Sequence, residues 1–262
     1  MTNVTTRPVI TIAAISDIHS NVFALDAVLA DIERRNVDQI VNLGDILYGP
    51  IAPKATYELL MANQDNIMTI RGNQDRQIYA ATAAEIVNNP TLAFILDDLP
   101  IVAIEWMRSL PFDCYLSAEV YLCHGSPTDD MMYLLEDVSS GLPSVRSDAD
   151  ILTRLNGVGS AVIVCGHTHI PRTVRLSTEQ VIINTGSVGY PAYEDDLPNA
   201  HKMQTYSPHA SYSLITCVET KQGQRWQSEH IKVPYDYEAA AKLASINGRE
   251  DWAFALRTGW VL

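Results

Sequence analysis

The sequence predicts an α/β fold whose strand ends carry the chemistry, on three observations. Apolar, β-branched runs alternate with helical patterns from residue 9 to residue 71, the βαβαβ order that produces parallel strands. Strand patterns return at short intervals after residue 120, so the second half is strand-rich. The 262 residues are 47% hydrophobic and 19% charged, a globular composition, and a chain of this length buries roughly three quarters of its unfolded surface without disulfide or metal staples.

The first strand, 9–16, is mostly apolar and β-branched, which suits burial on both faces. Asn21 can cap a helix whose apolar positions Leu25, Val28, Leu29 and Ile32 recur at helical spacing, and Asn36 is its stop. A second strand, 39–43, passes through Gly44-Asp45 and a Gly-Pro loop into a helix over 54–62, and a third strand covers 67–71. Between Asp75 and Leu110 the pattern turns to short helical pieces, 77–87, 91–96 and 101–108, separated by Asn88-Asn89-Pro90 and Leu99-Pro100. This reads as a small helical cap inserted at about 75–110 in one domain spanning 1–262. Tyr79, Phe94 and Trp106 within it either cover a site or pack the insert onto the body. Strands follow at 120–123, 161–165, 173–176 and 181–183, then a hairpin of 212–219 and 225–233 around Gly223. An alanine-rich helix over 238–246 stops at Asn247-Gly248, and Asp251 can cap a last short helix.

Charge narrows the partners. Lys and Arg number 18 against 31 Asp and Glu, a net charge of −13, so the field repels nucleic-acid duplexes and anionic membranes. Cys114, Cys123, Cys165 and Cys217 contain no Cys-x-x-Cys pair, three of them sit in strand-like runs, and buried thiols are expected. The apolar run 9–15 ends in Ser16-Asp17 without a small-residue cleavage site, and no run approaches about 18 apolar residues, so the expected location is cytoplasmic.

Five strands end in metal-ligand residue types: Asp17-Ile18-His19, Gly44-Asp45, Gly72-Asn73, His124-Gly125 and Gly166-His167-Thr168-His169. Ligands of an α/β sheet bind at the carboxyl ends of its strands, so segments far apart in sequence can converge there. Each has a blander reading. An Asp after a strand is commonly a turn residue or helix cap, a strand-end His is commonly a hydrogen-bonded surface residue, and a Gly beside either is commonly a turn glycine. His201, His209 and His230, in a polar loop or an alternating strand, read as structural. Taken together, four imidazoles, two carboxylates and one amide oxygen are too many for one zinc and suit two divalent cations, Mn before Fe or Zn.

In this order the blocks resemble the calcineurin-like metallophosphoesterases, whose motifs run Asp-x-His, Gly-Asp, Gly-Asn-His, a single His and Gly-His-x-His. The likeness extends through Asn184-Thr185-Gly186-Ser187-Val188-Gly189 and Val233-Pro234-Tyr235-Asp236, and looks like the small bacterial phosphodiesterase-type branch. It implies two packed mixed β-sheets flanked by helices, a four-layer αββα sandwich. It further implies one cation held by Asp17, His19 and His169, a second by Asn73, His124 and His167, and Asp45 between them. Two such cations lower the pKa of a bridging water and steady an in-line attack on phosphorus.

Gln74, Asn73 and His124 are then the expected catalytic residues. Two departures stand out. Gly72-Asn73-Gln74-Asp75 places an amide where relatives carry a histidine, so the residue nearest the leaving group can hydrogen-bond but cannot donate a proton. The loop after Gly189 is long and acidic where a short loop with an Arg is expected, leaving Arg71 and Arg76 as candidate phosphate-binding cations. The function these readings imply is metal-dependent hydrolysis of a phosphoester or phosphoanhydride bond in a small phosphodiester or nucleotide, dinucleoside polyphosphates included. The alternative is a catalytically weak metal-binding scaffold on the same fold.

Overall fold

The computed structural model describes residues 8–221 and 223–262. β1 (Pro8–Ile15), α1 (Val22–Glu33), β2 (Gln39–Asn42), α2 (Pro53–Asn63) and β3 (Ile67–Thr69) form the expected βαβαβ unit. β1 runs parallel to β2, with Ile12 opposite Gln39 and Ile15 opposite Asn42, and β2 runs parallel to β3. The Asn21 side chain accepts the Ala24 N–H at 3.1 Å and starts α1.

Four helices follow: α3 (Asn73–Tyr79), α4 (Ala83–Asn88), α5 (Pro90–Asp98) and α6 (Ile101–Ser109). Where one helix over 77–87 is expected there are two. The Thr82 N–H donates to the Glu85 carboxylate at 2.8 Å and the Glu85 N–H to the Thr82 hydroxyl at 3.3 Å, a capping box that begins a new helix. Leu92, Ile95, Ala103 and Met107 are buried in the same core as Leu25 and Val28 of α1. Tyr79, Phe94 and Trp106 pack half-buried against that core, Trp106 with its ring 5.7 Å from Tyr57. These rings hold the helices to the body.

The chain continues through β4 (Asp113–Tyr115), β5 (Val120–Cys123), a short ladder of β6 (Glu136–Asp137) with β7 (Ser144–Val145), α7 (Asp148–Arg154), β8 (Val162–Cys165), β9 (Arg172–Arg175) and β10 (Val181–Asn184). A small hairpin, β11 (Ala192–Asp195) with β12 (His201–Gln204), precedes the long hairpin β13 (Ala210–Thr220) and β14 (Gly223–Val233). Helices α8 (Tyr237–Ile246) and α9 (Glu250–Thr258) end the chain. Asp251 lies inside α9 rather than at its cap, which is Arg249.

Two five-stranded mixed sheets result, β14-β13-β1-β2-β3 and β4-β5-β8-β10-β9. In the first, β13 is antiparallel to β1; in the second, β5, β8 and β10 are parallel and both edges antiparallel. The two-residue period of β1 sends Ile12 and Ala14 into the core between the sheets and Ala13 and Ile15 into the core under the helices. Val41, Leu43, Leu122, Val164 and Ile183 complete the inter-sheet core, while Ile151 and Leu155 around α7 cover the outer face of the second sheet. The layers are therefore α, β, β, α. Cys123, Cys165 and Cys217 are buried free thiols and Cys114 is half-buried. Among the described residues no helix is long and apolar enough to cross a membrane.

Candidate metal centre

The loops that leave β1, β2, β3, β5 and β8 meet at one end of the sandwich. Backbone bonds lash them together: Asp17 N–H to Gly44 carbonyl at 2.9 Å, His19 N–H to Asp45 carbonyl at 3.1 Å, and Gly166 N–H to His124 carbonyl at 2.9 Å. Asp17, His19, Asp45, His167 and His169 all adopt left-handed backbone, with φ from 50° to 70°. Non-glycine residues rarely sit there unless the surroundings hold them, and such positions concentrate at functional sites. Glycine supplies the room. A Cβ on Gly72 would stand 2.1 Å from Asp45 Oδ1, and one on Gly166 would stand 2.8 Å from Asp17 Oδ2.

Two groups of donors result. Asp17, His19 and His169 form one, Asp45, His124 and His167 the other, and within each the ligand atoms lie within 4.8 Å of one another. Asn73 joins the second group, its Oδ1 3.0 Å from His124 Nε2. The imidazoles are turned for coordination by their far nitrogens. A backbone carbonyl can only accept, so the ring nitrogen facing it carries the proton. His19, His124 and His169 direct Nδ1 to the carbonyls of Tyr48, Leu43 and Tyr190 at 2.9, 2.8 and 2.7 Å, so each turns Nε2 toward the centre. His167 reverses the arrangement, with Nε2 on the Met131 carbonyl at 3.0 Å, which frees Nδ1. Such carbonyl partners are what orient metal-binding histidines.

A cation fits this set on the chain's own evidence. Asp17 Oδ1 is buried without a hydrogen-bond partner, and His19 Nε2 faces His169 Nε2 at 3.0 Å, two lone pairs that repel unless a positive charge comes between them.

The electrostatics point the same way. Burial alone would raise the Asp17 and Asp45 carboxyls, yet His169 and His124 respectively hold them below their ordinary range, as acceptors ready for a cation. Burial and the repulsion of His169 bring His19 down to about 4, and burial with His124 does the same to His167, so both are neutral at pH 7, the form that can coordinate a cation. Burial opposes a proton on His124, but the Asp45 carboxylate outweighs it and raises His124 to about 10. That proton occupies the place a cation takes. Asp75 is pushed up to about 7 by burial and then by Asp45, against three backbone N–H groups, those of Asp45, Ile46 and Gly72, that donate to its carboxyl at 2.8 to 2.9 Å. Asp75 thus braces the Asp45 loop and faces away from the cavity.

A cavity of about 220 Å³ opens over the centre, walled by His19, Asp45, Asn73, Gln74, His167 and His169 together with Tyr48, Tyr190, Tyr193, Glu194, Asp195, Arg249 and Trp252. Gln74 is held by its N–H, which donates to Asp45 Oδ1 at 2.8 Å, while its side-chain Oε1 is buried without a partner. Arg71 and Arg76 are not among the walls. Both are spent on Asp130, Arg71 Nη1 at 2.7 Å and Arg76 at 3.0 and 2.7 Å, a clamp that fastens α3 to the loop after β5.

The sequence reasoning missed the cation that does line the cavity, Arg249, and the aromatic side chains around it. Trp252 stacks on Tyr190 with ring centres 3.7 Å apart, and Tyr193 stands edge-on to His169 at 4.7 Å. The Tyr193 hydroxyl donates to the His167 carbonyl at 3.2 Å, and Tyr133 joins it to His201. No local signal marks these residues as neighbours of the ligands. None of the walls comes from 77–108.

A two-sheet sandwich with two clusters of N and O donors at its strand ends has the architecture of a metal-dependent hydrolase. Residues 10–199 match the calcineurin-like phosphoesterase superfamily domain, and the chain belongs to that superfamily. It is 29% identical over 272 residues to the uncharacterized protein MJ0912 of Methanocaldococcus jannaschii, with 92% of this chain and 94% of the other covered. Its fold is similar to that of a crystallised metallophosphoesterase from Sphaerobacter thermophilus, with a TM-score of 0.69 at 23% identity, covering 94% of this chain and 98% of that one.

Proposed function

We propose that the protein hydrolyses phosphoester or phosphoanhydride bonds in a small phosphodiester or nucleotide, dinucleoside polyphosphates included, with two divalent cations bound, Mn before Fe or Zn. Asp17, His19 and His169 hold one, Asn73, His124 and His167 the other, and Asp45 lies between. The observation that carries this reading is the pairing of every histidine donor with a backbone carbonyl on its far nitrogen, which turns the four remaining ring nitrogens toward two buried carboxylates. When bound, the cations supply an activated water and neutralise charge that develops on the phosphoryl oxygens.

The chain's own side chains do the rest. The left-handed turns and glycine contacts hold the carboxylates rigidly, so little reorganisation accompanies the reaction. Gln74 lines the cavity as a hydrogen-bonding amide, which suits the role beside the leaving group that the family resemblance gives its position. The walls enclose a space suited to a compact phosphate rather than a protein surface. Net charge of −13 disfavours nucleic-acid duplexes and membranes as partners and accords with a cytoplasmic setting. The scaffold alternative has no observation in its favour, because all seven donors are present and turned inward.

The test is metal analysis of purified protein together with hydrolysis of a bis-aryl phosphate, an aryl monophosphate and dinucleoside polyphosphates with Mn²⁺ added. About two equivalents of metal and turnover of at least one class are expected. Stoichiometric metal with no turnover on any of them would return the protein to the scaffold reading.

A further inference from the structure

Arg249 is the one cationic side chain among the described residues that line the cavity. It caps α9, 50 residues beyond the segment 10–199 matched to the family, so its presence does not follow from membership. Its Nε and Nη2 donate to the Asp251 carboxylate at 2.9 and 2.5 Å, and Nη1 donates to Thr91 Oγ1 at 2.5 Å. A guanidinium carries five N–H groups in a fixed fork. Three are engaged, and two remain for a ligand. The guanidinium carbon lies 5.6 Å from the Trp252 ring, which itself meets the His19 ring edge-on at 5.8 Å, so one aromatic ring separates this cation from a metal-ligand residue. Glu194 and Asp195 are exposed on the same wall. That combination accepts one extra negative group and repels a long polyanion.

We propose that Arg249 binds a second oxyanion of the substrate, so that the preferred substrate is a compact phosphorylated compound carrying a carboxylate or another phosphate close to the scissile phosphorus. The assignment rests on the hydrolase reading of the metal centre and narrows it. Planar N–H forks recognise carboxylate and phosphate oxygens alike, and a charge-assisted bond of this kind changes affinity by about ten- to a hundredfold. Asp251 holds the fork oriented through Nε and Nη2 and, as a neighbouring carboxylate, competes with the ligand for its positive charge.

Calorimetry on the Mn-loaded protein with methylphosphonate, phosphonoacetate and methylenediphosphonate provides the test. The first probe has one oxyanion, the second adds a carboxylate and the third another phosphonate. Arg249→Gln is expected to lower the affinity ratio of a two-anion probe to methylphosphonate by at least about tenfold, and whichever probe loses more identifies the second group. Asp251→Asn, outside the cavity, is expected to raise the same ratio by freeing the fork. A guanidinium that only ties α9 to Thr91 would shift all three affinities together, so unchanged ratios in both variants overturn the assignment. Should Arg249→Gln not fold, an unchanged or lowered ratio in Asp251→Asn overturns it alone. Parallel hydrolysis of the bis-aryl phosphate, the aryl monophosphate and dinucleoside polyphosphates separates the two readings: a wild type inactive on all three that still discriminates between probes sinks the hydrolase and leaves the anion site standing.

Discussion

Asp45 faces both donor groups, with Oδ2 3.4 Å from His124 Nε2 and Oδ1 accepting the Gln74 N–H, and both His19 and His124 feel its charge. Asp45→Asn removes that charge from between the two donor groups, and metal retained after dialysis is expected to fall at both, with affinity lower by about a hundredfold or more given that even the outer partners of ligands matter by 10- to 100-fold. Metal analysis of dialysed protein checks this, and two equivalents kept at wild-type turnover would refute it. Gln74 supports a second expectation. Asp75 cannot serve as the acid, since its oxygens are turned to three backbone N–H groups, and a positioned acid is worth about a hundred- to ten-thousandfold. Departure of basic alkoxides should therefore be slow and aryl esters or phosphoanhydrides favoured, so kcat/KM should depend steeply on leaving-group pKa. Gln74→His should flatten that dependence; a flat wild-type profile with chemistry limiting would end the argument. The seven donors were legible in sequence because each stands at a strand end and several stand next to glycine. Arg249 was not, because its place beside the site depends on how α9 packs.

At the scale of elements, the helices from 73 to 109 were legible as helical and their task was not. Apolar spacing says that Leu92, Ile95 and Met107 face a core, but the same spacing serves a lid or a buttress. The core they share with α1 and the Trp106–Tyr57 contact make them a buttress. Ile95→Ala, at a fully buried position, is expected to cost about 2–5 kcal/mol of stability while leaving the preference between large and small substrates unchanged. Urea unfolding and paired kinetic assays measure both, and an altered preference in a folded variant would restore the lid. Elsewhere the misses have local causes. α7 starts at Ser147, whose hydroxyl accepts the Asp150 N–H, a short helix whose cap is visible in sequence but whose length gives little periodicity. β4, β6 and β7 hold two or three residues each, below what alternation can reveal. β11 and β12 read as polar loop because their four residues each include the charged Glu194, Asp195 and Lys202, which mask the buried Ala192, His201 and Met203.

At the scale of the whole molecule, the pairing of the two sheets is a long-range outcome that no window of sequence displays; it was reached through family resemblance rather than from pattern. Besides the apolar core, a polar contact joins their edges: His230 on β14 meets Ser213 at 2.9 Å within its own sheet and Thr173 on β9 of the other sheet at 3.0 Å. A neutral imidazole, with one donor and one acceptor, satisfies both hydroxyls, whereas an imidazolium has only donors. Burial lowers the His230 pKa below its ordinary value. The unfolded chain therefore takes up this proton first, so the contribution is complete above about pH 6.5 and is lost as pH falls below it. His19 and His167, lowered to about 4 by burial, act in the same direction in metal-free protein. Comparing metal-free wild type with His230→Gln isolates the one group, since distant sites add. The stability advantage of wild type, read from urea midpoints, is expected to shrink between pH 7.5 and pH 5.5, and to be constant below the folded pKa. An advantage that did not change across that interval would show that His230 titrates alike in both states and that the edge contact is indifferent to its charge.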